Sequence, residues 1–203
     1  MRYADLETEK TMPAPKQHDP DAFIDSAMRV FWSRGYEGTS INDLVQATGM
    51  NRGSIYSSFE GKRDIFLAAL ASYDDRYRGR FLGGLTSGRS PKEAILAAFR
   101  AAADQVPSAE FPAGCLVVNS AVELAPHDAE ISAAVNASLG ELRAFFRDRL
   151  DAAMAAGEIG ALDSEAMTTT LYALFLGLRV MCRANAPADQ KEQIVQQASR
   201  FLD

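Results

Sequence analysis

Residues 39–66 read TSINDLVQATGMNRGSIYSSFEGKRDIF, and the apolar spacing within this stretch decides the fold of the first part of the chain. Ile41, Leu44, Val45 and Thr48 recur three or four apart, so they share one face of a short helix that Gly49 ends. Ser40 is suited to cap that helix, its hydroxyl accepting the amide of Asp43 while the Asp43 carboxylate reaches back to the cap amide. After the glycine, Ile55 and Phe59 at i and i+4 bury one face of a second helix. Arg52, Gly53, Ser54, Ser57 and Ser58 are left toward solvent, with Tyr56 beside them. Two short helices joined by a tight glycine-containing turn form a helix-turn-helix.

Working outward, Asp19 and Pro20 provide a cap and a first-turn proline for a preceding helix whose buried face is Phe23, Ala27, Val30 and Phe31. Trp32 falls on this support helix and reads as packing. Downstream, Ile65, Phe66, Ala69, Leu70 and Tyr73 predict a helix over about 62–80, and Gly83-Gly84 with Gly88-Arg89-Ser90 predict a flexible joint. Ser90-Pro91-Lys92-Glu93 opens another helix, with Ile95, Ala98 and Phe99 inward. Residues 114–125 have the composition of a strand, but their all-helical surroundings favour a buried helix. A long helix follows over 128–156, about 43 Å at 1.5 Å per residue. Asp163 caps the next, and a short helix over 189–202 closes the chain.

The predicted fold is therefore all-α: a three-helix helix-turn-helix domain followed by a helical ligand-binding and dimerisation domain. Its divisions fall at 1–18 (a mobile arm), 19–61 (the reading domain), 62–88 (connecting helix and joint) and 89–203. On the two long helices Leu142, Phe146, Leu150, Leu171, Leu174, Phe175, Leu178, Met181 and Cys182 make an apolar stripe. Tyr172, Leu176 and Val180 lie outside it. A helix apolar on more than one side needs more than one covering surface, so this stripe is expected to form a four-helix interface with a second copy.

At 203 residues and 47% hydrophobic content, the chain has material for a reading head and a larger body. Its net charge of −6 argues on its face against nucleic acid, but the acidic excess is uneven. Residues 1–80 hold 11 Lys and Arg against 12 Asp and Glu, whereas residues 81–203 hold 10 against 15. Arg29, Arg34, Arg52, Lys62 and Arg63 concentrate basic charge near the motif, and local charge governs phosphate contact. Two cysteines with 66 residues between them make no secreted-protein framework. Neither a leader-like segment nor a run of about 18 apolar residues occurs, so a reduced cytoplasmic setting without membrane contact is expected.

The exposed side of the second helix has the chemistry of a major-groove reader, since small hydroxyls and a guanidinium match the groove floor. Tyr56 and Lys62 are suited to phosphate contacts. The motif alone is equally compatible with a helical hairpin whose polar side faces water. FWSRGYEGTSINDLVQATGMNRGSIYSSFEGKRDIF, Phe31 to Phe66, resembles the N-terminal domain of the TetR/AcrR transcriptional regulators. The likeness rests on Gly35-Tyr36, Thr39-Ser40-Ile41, Gly49, Ile55-Tyr56, Phe59, Lys62 and Phe66. It implies a homodimer on double-stranded DNA, with Thr39, Arg52, Gly53, Ser54, Tyr56, Ser57, Ser58 and Lys62 at the interface. It also implies a small-molecule inducer in the C-terminal domain that tilts the helix over 62–80. Position 58, often aromatic or histidine in that family, is serine here, so no base preference transfers.

Cys115, Asn119, His127 and Phe99 are the ligand-sensing candidates. Cys115 follows Gly114 at the start of a predicted helix, where backbone amides favour a thiolate. The competing reading is a small buried hydrophobe beside Leu116, Val117 and Val118. GCLVVNSAVEL resembles a segment in regulators that answer to reactive electrophiles, small unsaturated acids or copper. No C-x-x-C or H-x-x-x-H pair supports a metal site, and no cofactor is expected. Hydrolase, metalloprotease and dinucleotide signatures are absent from the sequence, which argues against an enzyme.

Overall fold

The computed structural model describes residues 19–203, and the arm expected over 1–18 lies outside them. Helix α1 (Pro20–Arg34) begins where the Asp19 carboxylate accepts the Asp21 amide at 3.0 Å. Helix α2 (Ile41–Thr48) carries the full capping box, with Asp43 N–H donating to Ser40 Oγ at 3.2 Å and Ser40 N–H to Asp43 Oδ2 at 2.9 Å. Gly49 ends it at φ 71°, a left-handed conformation that an L side chain disfavours. Helix α3 (Arg52–Ser58) is capped by Asn51, whose side-chain oxygen accepts the Ser54 amide at 2.9 Å.

Helix α4 (Lys62–Tyr73) passes through a single π turn, Asp74–Arg78, into α5 (Gly79–Thr86). The expected joint at Gly83-Gly84 is thus helical, and the break comes later, at Gly88 with φ 69°. Phe81, Leu82 and Leu85 pack on the second core described below, and that burial outweighs the roughly 1 kcal/mol that each glycine costs a helix. Then come α6 (Pro91–Ala103), α7 (Leu116–Glu123), α8 (Ala129–Ala155), α9 (Ser164–Arg183) and α10 (Ala188–Arg200). Residues 116–123 are helix, which settles the strand alternative. Among the described residues no helix is long and apolar enough to cross a membrane.

Two apolar cores organise these helices. The first gathers Phe23, Phe31, Trp32, Leu44, Ile55 and Phe66 of the head with Tyr73, Leu116, Val117, Ile131 and Val135. It therefore continues from the reading head into α7 and the first turns of α8. The second is built from α6, α8, α9 and α10 around Phe99, Phe146, Phe175 and Leu178.

This second core corrects the expected dimer stripe. Leu142, Phe146, Leu150, Leu171, Phe175, Leu178 and Cys182 are buried within one protomer, and Leu174 and Met181 are half-buried at its edge. Helices α6 and α10 supply the cover that the sequence reading assigned to a second copy. Cys182 donates to the Ala102 carbonyl at 3.2 Å, inside this core. The outward edges are small-residue rows: Ala133, Ala137 and Gly140 on α8, and Thr170, Ala173, Gly177 and Val180 on α9.

Candidate nucleic-acid interface and ligand cavity

On α3, Ile55 is fully buried and anchors the helix, while Arg52, Gly53, Tyr56, Ser57 and Ser58 are exposed and Ser54 is half-buried. Tyr56 is 56% exposed, a large ring turned mostly to solvent. Ser57 Oγ donates to the Ser54 carbonyl at 2.8 Å. Thr39 is corrected. It is 1% exposed and its hydroxyl donates to the Gly35 carbonyl at 2.7 Å, so it shapes the turn before α2 and offers nothing to a ligand. Lys62 stands at the start of α4 with Nζ 3.0 Å from the Tyr36 carbonyl and 4.0 Å above the Tyr36 ring, so its ammonium is already partly held. In α2, the Ser40 hydroxyl holds the Asp43 carboxyl below the usual carboxylate range.

Three polar clamps join this head to the body, and the sequence reading found none of them. Glu123, at the end of α7, accepts the amides of Tyr36 at 3.2 Å and Glu37 at 2.8 Å. Gly35 permits that approach, since a Cβ there would lie 3.0 Å from the carboxylate and its φ is 81°. Arg183 of α9 donates to the Trp32 carbonyl at 3.1 Å and the Ser33 carbonyl at 2.9 Å, closing the C-terminal end of α1. Arg63 of α4 forks onto Asp128 at 2.6 and 2.9 Å and reaches Glu130 at 2.8 Å. Its hydrogen bonds, with the amide of Ile131, hold the Asp128 carboxyl down to about 2. These partners lie 65 to 151 residues apart, so no local spacing announces them.

A cavity of about 310 Å³ lies between the head and the body, at the small end of the range for small-molecule sites. Its walls are mostly apolar, and Trp32, Tyr73, Tyr77, Phe81, Phe111 and Phe175 contribute aromatic rings. Tyr73, Tyr77 and Arg78 come from the π turn and the residue before it; the extra residue of a π turn re-aims side chains, which is why such turns recur at functional sites. Cys115, half-buried at the cap position of α7, lines the cavity and accepts the Tyr73 hydroxyl at 3.2 Å. Burial raises the Tyr73 phenol well above its ordinary range, and Cys115 beside it adds to that.

Of the four sensing candidates, only Cys115 reaches this cavity. Phe99 is fully buried in the second core, 5.8 Å from Phe146 and 5.6 Å from Phe175 between ring centres. Asn119 lines a separate groove with Val122, Val180 and Arg183. His127 is exposed in the α7–α8 turn. The helical period explains the misplacement of Asn119: four residues after Cys115 is one turn along, but the inward face here continues through Val117 and Val118. Trp32 is the converse case, a residue read as packing that forms part of the cavity wall. Its ring lies edge-on to Tyr73 at 5.0 Å, a contact visible only once α1 and α4 are packed.

Comparison with known proteins places both halves. Residues 23–69 match the model for bacterial regulatory proteins of the tetR family, and residues 91–198 match the tetracyclin repressor-like C-terminal domain. The chain is 32% identical over 187 residues to the HTH-type transcriptional repressor ComR of Escherichia coli (strain K12), covering 91% of this chain and 89% of that protein. It is 30% identical to the uncharacterized HTH-type regulator YezE of Bacillus subtilis (strain 168), over 93% of this chain and 98% of that one. Among solved structures, a cysteine mutant of the TetR family regulator CifR in complex with 26-bp double-strand operator DNA superposes with a TM-score of 0.81. It is 31% identical and covers 94% of this chain and 100% of that one. With a reading head, a helical body and full-length relatives of the same architecture, the chain belongs to the tetR family of bacterial regulatory proteins, which act as regulators and not as catalysts.

Proposed function

We propose that the protein is a transcriptional repressor that binds a pseudo-palindromic operator as a homodimer and releases it when the body receives a small molecule or a thiol modification. The observation that carries this reading is the position of the cavity, because one wall belongs to α1 of the DNA-reading head and the others to the body. A ligand that fits only one arrangement of head and body shifts the population toward that arrangement and so changes DNA affinity. Relatives named as a repressor and as a regulator bound to operator DNA support the DNA-binding part. The net charge of the head is modest, so two heads acting together are needed to hold successive major grooves about 34–36 Å apart. The small-residue rows of α8 and α9 suit the close helix approach of a two-fold interface.

Cys115 supports release by an electrophile: it lines the cavity, and a thiolate there would accept the Tyr73 hydroxyl. A second reading follows from the same burial, with Cys115 as wall and a non-reactive ligand as inducer. Copper has weaker support, since among the described residues no three His, Cys, Asp or Glu side chains gather. The test is to recover the bound genomic DNA, then follow operator binding by anisotropy for wild type and Cys115→Ser with electrophiles, unsaturated acids and copper. Responses that vanish with Cys115→Ser establish the thiol route. Responses that all persist leave the non-reactive ligand, and a protein that captures no specific DNA overturns the proposal.

A further inference from the structure

Two cations line the cavity, and their surroundings differ. Arg78 is neutralised, its Nε 2.7 Å from Asp74 and its Nη1 2.6 Å from Glu141. Arg179 of α9 is 8% exposed, donates Nη2 to the Gly114 carbonyl, and has no carboxylate within 4.0 Å among the described residues. A buried guanidinium without a counter-charge is costly, and an anion placed beside it recovers that cost.

Two side chains of the same cavity wall each carry a buried polar atom, of opposite kind, with no partner among the described residues. Trp32 is 3% exposed and, among the described residues, its indole N–H finds no acceptor and the buried Gln105 Oε1 finds no donor. The Gln105 amide is oriented by its Nε2, which donates to the Pro112 carbonyl at 3.1 Å, so the oxygen is the end left over. A buried polar group left unpaired is costly, which favours any ligand that supplies the partner.

We infer that the cavity takes a small aromatic carboxylate, its carboxylate held by Arg179 with the indole N–H of Trp32 as a second donor and its ring among Tyr73, Tyr77 and Phe81. The inference rests on the regulatory reading above and names the ligand class for that cavity. The Trp32 N–H lies out of reach of water, so a ligand oxygen meets it only by drawing the ring toward the cavity. That ring is carried by α1, whose C-terminal end also abuts the reading motif. Ligand capture and displacement of the head are then one event. A hydroxyl on the ligand ring would serve Gln105 Oε1 and tighten binding.

Trp32 is the only tryptophan in the chain, so its emission reports the site directly. Benzoate, phenylacetate and 3-phenylpropionate are titrated against their uncharged amides, read by Trp32 emission and calorimetry, in wild type, Arg179→Lys, Arg179→Gln and Trp32→Phe. At least one carboxylate should bind ten-fold or more tighter than its amide and shift Trp32 emission. Arg179→Lys should retain that preference and Arg179→Gln lose it, with thermal melts confirming that both fold. Trp32→Phe should weaken the carboxylate three- to ten-fold, read by calorimetry with a thermal melt alongside. No carboxylate preferred over its amide, or a preference that survives Arg179→Gln, overturns the inference. If Arg179→Gln instead slows iodoacetamide labelling of Cys115 and leaves carboxylate affinity alone, the cation serves the thiol and the inference also fails. Carboxylate binding without any change in operator affinity would sink the regulatory reading alone, whereas operator release by other compounds with no carboxylate preference would sink only the ligand class.

Discussion

At the scale of single residues, the most consequential side chains are those that tie the head to the body. Glu123 satisfies two amides of the turn after α1, and a carboxylate does this more strongly than a neutral amide. Glu123→Gln is expected to cost about 1–2 kcal/mol and to weaken operator binding, read as a lower melting temperature and a reduced affinity. Asp128 titrates in the folded state near 2, below its ordinary value, so the stability it contributes is present above the usual carboxylate range and is lost as pH falls toward 2. In Asp128→Asn the acid limb of an unfolding-versus-pH curve should be shallower between about pH 4 and pH 2. For DNA contact, Lys62→Ala should lower the slope of log affinity against log salt by about one ion, and Tyr56→Phe should weaken binding with the slope unchanged. Unchanged affinity and slope in both would remove them from the interface. Lys62 must share its ammonium with the Tyr36 carbonyl, so the melting temperature of Lys62→Ala has to be measured alongside.

At the scale of elements, caps and stops were readable because they act over three or four residues. Ser40 with Asp43, Ser90 with Glu93, Asp19, Asp163 and Gly49 all perform the roles that their local chemistry assigns. Ser40→Ala is expected to cost about 1 kcal/mol, seen in chemical denaturation, and to loosen α2 beneath the reading helix. The connecting helix was less readable. Its two glycines imply a joint, but burial of Phe81, Leu82 and Leu85 keeps the backbone helical and moves the break to Gly88. The π turn at Asp74–Arg78 has no sequence signature of its own. Asp74 is held by Arg78 and by the Ser138 hydroxyl at 2.6 Å, a contact across 64 residues.

At the scale of the whole molecule, the question is which faces meet a second copy. The large apolar residues of α8 and α9 are spent within the protomer, so Leu171→Ala should cost about 2–5 kcal/mol of stability without a specific effect on association. Gly177→Arg or Ala137→Arg, on the outward rows, should leave the melt close to wild type and shift sedimentation from dimer to monomer. A dimer that survives both would place the interface elsewhere. By itself the sequence determined the all-helical class, the caps, the reading motif and the family likeness, because each rests on periodicity or on contacts between near neighbours. Tertiary structure alone decided what covers the apolar stripe of α8 and α9, that Trp32 walls the cavity while Phe99 does not, and that Arg179 is buried with no acid beside it among the described residues. Those outcomes depend on surfaces brought together across tens of residues, and a helical stripe records that a face is apolar without recording what will cover it.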